Sequence, residues 1–158
     1  MYPEPDPHLR LKRFKVRPYQ PGDGKAVSEI CRQSPQAAQW PEESYEETHA
    51  SGRIVLVAET ESQICGFLVA QIVGDEAEIL NMAVESAHRR KGVGGALLSA
   101  AICAAHGRNV RNIYLEVRES NSPAVSLYAQ HGFEKTAQRR GYYSGPTENA
   151  VVMKKLTG

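Results

Sequence analysis

A basic run leads into glycines at Arg89-Arg90-Lys91-Gly92-Val93-Gly94-Gly95, directly ahead of the apolar Ala96-Leu97-Leu98. Glycine lets a backbone approach a ligand closely. Where such a turn opens a helix, free N–H groups and the positive end of the helix dipole favour an anion. Arginine and lysine add charge suited to phosphate. The pattern reads as a seat for a pyrophosphate. It is not a phosphate loop, because no Gly-Lys-Ser/Thr follows four residues after a first glycine, and the third glycine of the dinucleotide fingerprint is missing. A strand–turn–helix joint with an ordinary basic surface is the alternative.

A second set of residues could move protons. Leu115-Glu116-Val117-Arg118-Glu119-Ser120-Asn121 precedes Ser126-Leu127-Tyr128-Ala129-Gln130-His131-Gly132-Phe133. Read as strand, short loop and helix, these segments carry Glu116 and Tyr128 toward one cleft. Acyl transfer to an amine asks for two proton movements. An ammonium must lose a proton before it attacks, and a leaving thiolate must gain one or be stabilised. A carboxylate and a phenol suit those tasks. A solvent-facing Glu116 and a core-packed Tyr128 are the alternatives that spacing leaves open.

Other reactive side chains carry plainer expectations. Cys31, Cys65 and Cys103 are odd in number and widely spaced within apolar patterns. That suits buried free thiols in a reducing compartment, and Cys103 lacks an activating partner. The histidines His8, His49, His88, His106 and His131 show no metal-ligand spacing. His106 and His131 end helices, where they meet the dipole. Glu85, His88, Arg139 and Arg140 read as solvated. Trp40, the only tryptophan, reads as packing between two proline-bounded helices.

The elements that must position these groups follow from periodicity. Phe14 to Arg17 alternates as a first strand, ended by Pro18. Asp23 could cap a helix carrying Val27, Ile30 and Cys31, which Ser34-Pro35 breaks. Trp40-Pro41-Glu42-Glu43 opens a second, short helix. Ile54 to Ala58, Ile64 to Val73 and Ala77 to Val84 read as strands linked by tight turns, hence an antiparallel sheet. The period then changes. Ala96, Leu97, Ala100, Ala101, Ala104 and Ala105 mark a helix face, with Gly107 as a left-handed stop. Ile113 to Val117 is the next strand, so a right-handed βαβ unit makes the fourth and fifth strands parallel. A helix follows Asn121-Ser122-Pro123, and Gln138 to Tyr143 and Asn149 to Lys155 close the sheet.

At 158 residues, 41% apolar and 23% charged, the chain has the size and composition of one ordinary globular domain. A net charge of +1 gives no support for bulk nucleic-acid binding. No apolar run approaches the ~18 residues of a membrane span. Met1-Tyr2-Pro3-Glu4-Pro5-Asp6-Pro7 has no signal-peptide core. Residues 1–12 read as a flexible extension ahead of a domain over residues 13–158, in the cytoplasm.

Arg89-x-x-Gly92-x-Gly94 matches the acetyl-coenzyme A signature of the GNAT acyltransferases, Gln/Arg-x-x-Gly-x-Gly/Ala. Asn81 to Leu98, Leu115 to Asn121, Leu127 to Phe133 and Arg139 to Tyr143 together resemble the RimI type within that superfamily, over roughly residues 13 to 156. That family acetylates the N-terminal alanine of a small-subunit ribosomal protein. The resemblance implies that Met82, Ala83 and Val84 contact the acetyl and pantetheine arm through strand-edge backbone groups. It implies that Arg89, Arg90, Lys91, Gly92, Val93, Gly94 and Gly95 hold the pyrophosphate and that Asn121 hydrogen-bonds the cofactor arm. Glu116 would be the general base and Tyr128 the general acid. Tyr142 and Tyr143 would border the groove for the peptide's first residues, with Trp40 also at the acceptor groove. Met82 replaces a common isoleucine, and Gly141 stands where the family usually has asparagine.

The fold expected from this resemblance is a mixed α/β GNAT acyltransferase domain. Its central sheet splays between strands 4 and 5 to admit the acyl arm and is flanked by about four helices. The function expected is direct acetyl transfer from acetyl-coenzyme A, without a metal, to a protein α-amine. The unperturbed α-amine pKa of about 7.7–8.0, against about 10.4 for lysine, lets a single carboxylate suffice as base. No nucleic-acid or membrane partner is expected, and the chain should be a monomer or weak dimer. Two rivals stand: a GNAT enzyme acting on a small-molecule amine or lysine, and a non-catalytic acyl-coenzyme A binding module. The Glu116–Tyr128 pair argues against the second. The tyrosine pair favours a peptide over a small amine.

Overall fold

A computed structural model describes residues 14–46 and 52–157, so the expected extension over residues 1–12 lies outside the described residues. The elements run β1 (Lys15–Pro18), α1 (Gly24–Arg32), α2 (Glu42–Glu46), β2 (Arg53–Glu59), β3 (Ile64–Val73), β4 (Glu76–Val84), α3 (Val93–Gly107), β5 (Asn112–Arg118), α4 (Ser122–Gln130), β6 (Glu134–Tyr143) and β7 (Glu148–Leu156). A single 3₁₀ turn, Ser86–His88, links β4 to the glycine loop. The described strands form one seven-stranded sheet in the order β1-β2-β3-β4-β5-β7-β6. Neighbours are antiparallel except β4 and β5, which the α3 crossover makes parallel.

Each face of the sheet has its own core. On one face Leu97, Leu98 and Ala101 of α3 and Tyr128 of α4 pack on Leu56, Leu68, Ile79, Leu115 and Met153. On the other, Val27 and Ile30 of α1 and Tyr45 of α2 pack on Val57, Phe67, Val69 and Ala83. Gly66 permits close approach of α3 to β3: a Cβ there would stand 3.0 Å from Val93 and 3.2 Å from Leu97.

Two irregularities shape the centre. Opposite β3, Val69 pairs with Asn81 while Ala70 pairs with Ile79, so Leu80 is an extra residue on β4. This bulge inverts the strand's facing. Ala77 and Ile79 before it, and Met82 and Val84 after it, point to the α3 face. Ala83 packs on the α1 face, and Asn81 is its in-phase neighbour. In addition, β4 and β5 pair only over Glu76–Ile79 and Asn112–Leu115. Beyond those residues the strands part, and the expected splay opens at the bulge.

Several local expectations are corrected. Asp23 occupies the N-cap position of α1 but makes no side-chain cap there. Its carboxylate instead takes the Arg17 guanidinium at 2.8 Å and the Gln20 N–H at 2.7 Å, because a charged partner is the stronger one. Gly107 is the last residue of α3 and is not left-handed; the positive φ of 62° falls on Asn109. Leu98 joins Leu97, Ala101 and Ala105 as buried in α3, so the buried stripe is rotated from the alanine face, and Cys103 is exposed while Cys31 and Cys65 are buried. Glu85 and His88 are paired at 3.3 Å and half-buried rather than free in solvent. No helix among the described residues is long and apolar enough to cross a membrane.

Candidate active site

The glycine loop starts where β4 ends. Arg90 has φ 61°, and Gly92, at φ 85°, is the N-cap of α3 with no side-chain cap. The first bond closing that end is Ala96 N–H to Gly92 O at 3.0 Å. The N–H groups of Val93, Gly94 and Gly95 therefore precede it, at the positive end of the helix. A Cβ on Gly92 would meet nothing within 4 Å, so this left-handed turn faces open space. The next two glycines answer a different need. A Cβ on Gly94 would stand 3.1 Å from Leu127, and one on Gly95 3.3 Å from His131, so both let α4 lie against the first turn of α3. Arg90 and Lys91 are exposed. The Arg89 guanidinium is committed elsewhere: it donates to Val84 O at 3.0 Å and to Ser34 Oγ at 3.5 Å, bracing the loop against the end of β4 and the segment after α1. Bare N–H groups, an open left-handed turn and two exposed cations fit a diphosphate.

The splay opens into a cleft of about 470 Å³. Its walls are the segment after α1 (Pro35 to Ala38, and Trp40), β4 from Glu78 to Met82, β5 from Leu115 to Arg118, and Asn121, Ala124, Tyr128, Tyr142 and Tyr143. Of the expected site residues, the cleft thus gathers Trp40, Met82, Glu116, Asn121, Tyr128, Tyr142 and Tyr143. It does not gather Ala83, which is buried in the α1-side core, or Val84, which packs toward α3. Asn121 also caps α4, its Oδ1 accepting the Ala124 N–H at 3.4 Å. A second cavity, of about 510 Å³, adjoins the first and shares Glu78, Leu80, Leu115 and Glu116 with it.

Glu116 and Tyr128 reach the cleft from opposite sides of the sheet. Leu115 and Val117 belong to the α3-side core, so Glu116 between them projects to the other face. Tyr128 belongs to the α3-side core and is 8% exposed. Burial, with a smaller contribution from Tyr143, pushes its phenol up to about 12. Around Glu116 the groups are polar and close. Arg139 Nε is 3.0 Å from Glu116 Oε1, and hydrogen bonding and charge from Glu116 raise the Tyr142 phenol. Tyr143 is raised by burial and then by Glu116. The two tyrosine rings meet edge to face at 5.0 Å. Arg118 lies 4.5 Å over Tyr143 and Arg139 5.4 Å over Tyr142, so each ring is held by a cation.

Sequence reading missed two groups here. Glu78 lines both cavities, and burial together with Glu116 raises its carboxyl. The signal for it was the strand period, since Glu78 lies in phase with Glu76 on the face away from Ala77 and Ile79. Arg139, expected as solvated, is the ion-pair partner of Glu116; its position on an exposed edge strand concealed this.

The sequence profile of the acetyltransferase (GNAT) family matches residues 25–133. A [ribosomal protein bS18]-alanine N-acetyltransferase of Escherichia coli K12 is 34% identical over 118 residues, covering 72% of this chain and 78% of that protein. The crystal structure of the ribosomal-protein-S18-alanine N-acetyltransferase from Escherichia coli superposes with a TM-score of 0.81 at 28% identity, over 92% of this chain and 94% of that one. NAA60 of Arabidopsis thaliana, in complex with acetyl-CoA, shares the fold at TM-score 0.79 and 20% identity, over 90% and 98% of the two chains. A profile spanning most of the chain, and a relative matching a third of its residues over most of both lengths, agree with the parted parallel strands and the glycine turn: the chain belongs to the GNAT family of acetyltransferases.

Proposed function

We propose that this protein transfers an acetyl group from acetyl-coenzyme A to the α-amine of a protein N-terminus, with the N-terminal alanine of a small-subunit ribosomal protein as the foremost target. The observation that carries the proposal is the convergence of Glu116 and Tyr128 on one cleft through the β4–β5 gap. The name of the Escherichia coli relative supports the acceptor. So does the second cavity, which gives residues beyond the first a path along the sheet.

Acetyl-coenzyme A supplies the activated acyl thioester. Arg90, Lys91 and the N–H groups of Val93, Gly94 and Gly95 hold its diphosphate. The free edge of β4 beyond Ile79, with Asn121, holds its arm. Glu116 takes a proton from the acceptor ammonium, directly or through a water. The amine lone pair then bonds to the acetyl carbonyl carbon, the carbon–sulfur bond breaks, the sulfur leaves with its electron pair, and the nitrogen's surplus proton passes to that thiolate, so that a neutral amide and a free thiol result. With its phenol near 12, well above the ~8.5 of an ordinary thiol, Tyr128 stays protonated. Full proton transfer to sulfur would run uphill, so its part is to donate a hydrogen bond to the developing thiolate.

Mass spectrometry on matched peptides tests the reading. Peptides with a free N-terminal alanine should be acetylated, and the same peptides with blocked N-termini should not be, even when they contain lysine. Equal modification of both, or a preference for free polyamines, would move the chain to another acceptor class.

A further inference from the structure

The acceptor side of the cleft is walled by a segment with no regular structure, the residues between α1 and α2. Gln39 Nε2 ties it to the Cys31 carbonyl of α1 at 2.9 Å, and one residue, Ala38, fastens it to β4. Asn81 is 5% exposed. Its Oδ1 accepts the Ala38 N–H at 3.2 Å, and its Nδ2 donates to the Ala38 carbonyl at 2.9 Å. A carboxamide is the side-chain group that can both accept from and donate to one residue's backbone in this way. From α1, the Cys31 thiol donates to the same carbonyl at 2.8 Å. The buried Tyr45 phenol abuts Cys31 and Asn81. Ala38 is itself exposed, so without these bonds its backbone groups could turn to water. The Leu80 bulge is what makes the clasp possible, because it turns Asn81 toward the α1 face.

We infer that Asn81 is a positioning residue for the acceptor. Through Ala38 it holds the Pro35–Trp40 wall at a fixed separation from Glu116 and the tyrosine pair, and so sets acceptor affinity without touching the reacting atoms. This rests on the proposed acyl transfer and concerns the acceptor half of the site alone. Cys31 serves the same clasp from the helix.

The test combines steady-state kinetics on the full chain with acrylamide quenching of Trp40, the only tryptophan. In Asn81→Ala the acceptor KM is expected to rise about tenfold, the scale of two amide hydrogen bonds. The kcat and the acetyl-coenzyme A KM should stay within about twofold, and Trp40 should become more open to quencher. Asn81→Asp keeps the shape but loses the donor, so it should raise the acceptor KM as well. Should Asn81→Ala fail to fold, Cys31→Ala reports on the same carbonyl from the other side, with Cys31→Ser restoring the donor and the wild-type KM. An unchanged acceptor KM in a folded variant overturns the inference, as does an equal rise in both KM values. If the wild type acetylates no peptide N-terminus, the proposed acceptor falls. Trp40 quenching, and the KM for whichever amine the enzyme does acetylate, then decide the clasp; unchanged quenching in Asn81→Ala overturns it.

Discussion

At the scale of single residues, the division of labour in the cleft gives separable expectations. Glu116→Gln removes the proposed proton acceptor and leaves the side chain's size. If Glu116 is the base as proposed, the variant lowers kcat by about 10²–10⁴-fold while calorimetry shows acetyl-coenzyme A affinity unchanged. Full activity across the pH profile would show that Glu116 neither takes the proton nor organises a water that does. Tyr128→Phe keeps the ring against Phe133, 5.8 Å away. Its turnover should fall on the order of 10²-fold, as for loss of one preorganised donor, and its stability should change by no more than about 1 kcal/mol. Normal turnover would leave Tyr128 as a packing residue only. Both residues were legible in the sequence as members of a strand–loop–helix unit. Their partners were not. Arg139 and Glu78 come from β6 and β4, and no local pattern records that those strands flank the same side chain.

At the scale of elements, the junction of β4 and α3 is the proposed cofactor end. The glycines there are of two kinds, and neither is a clean reporter: Gly92 faces open space but holds a left-handed φ of 85° that a side chain would strain. Substituting Gly94 would press on Leu127 and disturb α4 along with the loop. The sharper probe is Lys91→Glu, since Lys91 is exposed and its backbone is not the left-handed glycine turn. Its acetyl-coenzyme A KM is expected to rise by roughly tenfold or more at low salt and less at high salt, because exposed charges are screened within about 10 Å at 0.1 M. The kcat at saturating cofactor should hold. An unchanged cofactor KM at every ionic strength would remove Lys91 from the phosphate site.

At the scale of the whole molecule, the N-terminal elements are joined to the sheet by charge. Arg17 of β1 bonds Asp23 at the start of α1 at 2.8 Å and also pairs with Glu59 of β2. Burial by itself would raise the Asp23 carboxyl. Hydrogen bonds from Arg17 and the Gln20 N–H, together with the Arg17 charge, outweigh burial and hold it below the ordinary carboxylate range. A carboxyl lowered in the folded state contributes stability that is fully present above its unfolded pKa, near 3.9, and is lost as pH falls through the folded value. Asp23→Asn should therefore lower the denaturant midpoint at pH 7 and flatten its fall below about pH 4. An acid limb as steep as the wild type's would show that the pair is not a source of the pH dependence.

The sequence by itself determined the strands, the helices and the turn between β4 and α3. Periodicity, glycine and proline are local, and each of those elements is specified by residues within its own span. It also determined the parallel βαβ unit, because an intervening helix of that length permits little else. Tertiary structure decided which faces those strands present. In sequence, Ala77, Ile79, Asn81 and Ala83 alternate without a break. In the fold, the bulge at Leu80 divides them: Ala77 and Ile79 go to α3, Asn81 to Ala38, and Ala83 to the α1 core. A bulge leaves almost no mark in composition, because one extra residue becomes extra only against the register of a partner strand. The same holds for β7, which enters between β5 and β6 and brings Arg139 beside Glu116. Register is fixed by burying both faces of the sheet at once, and that sum is taken over residues far apart in the chain.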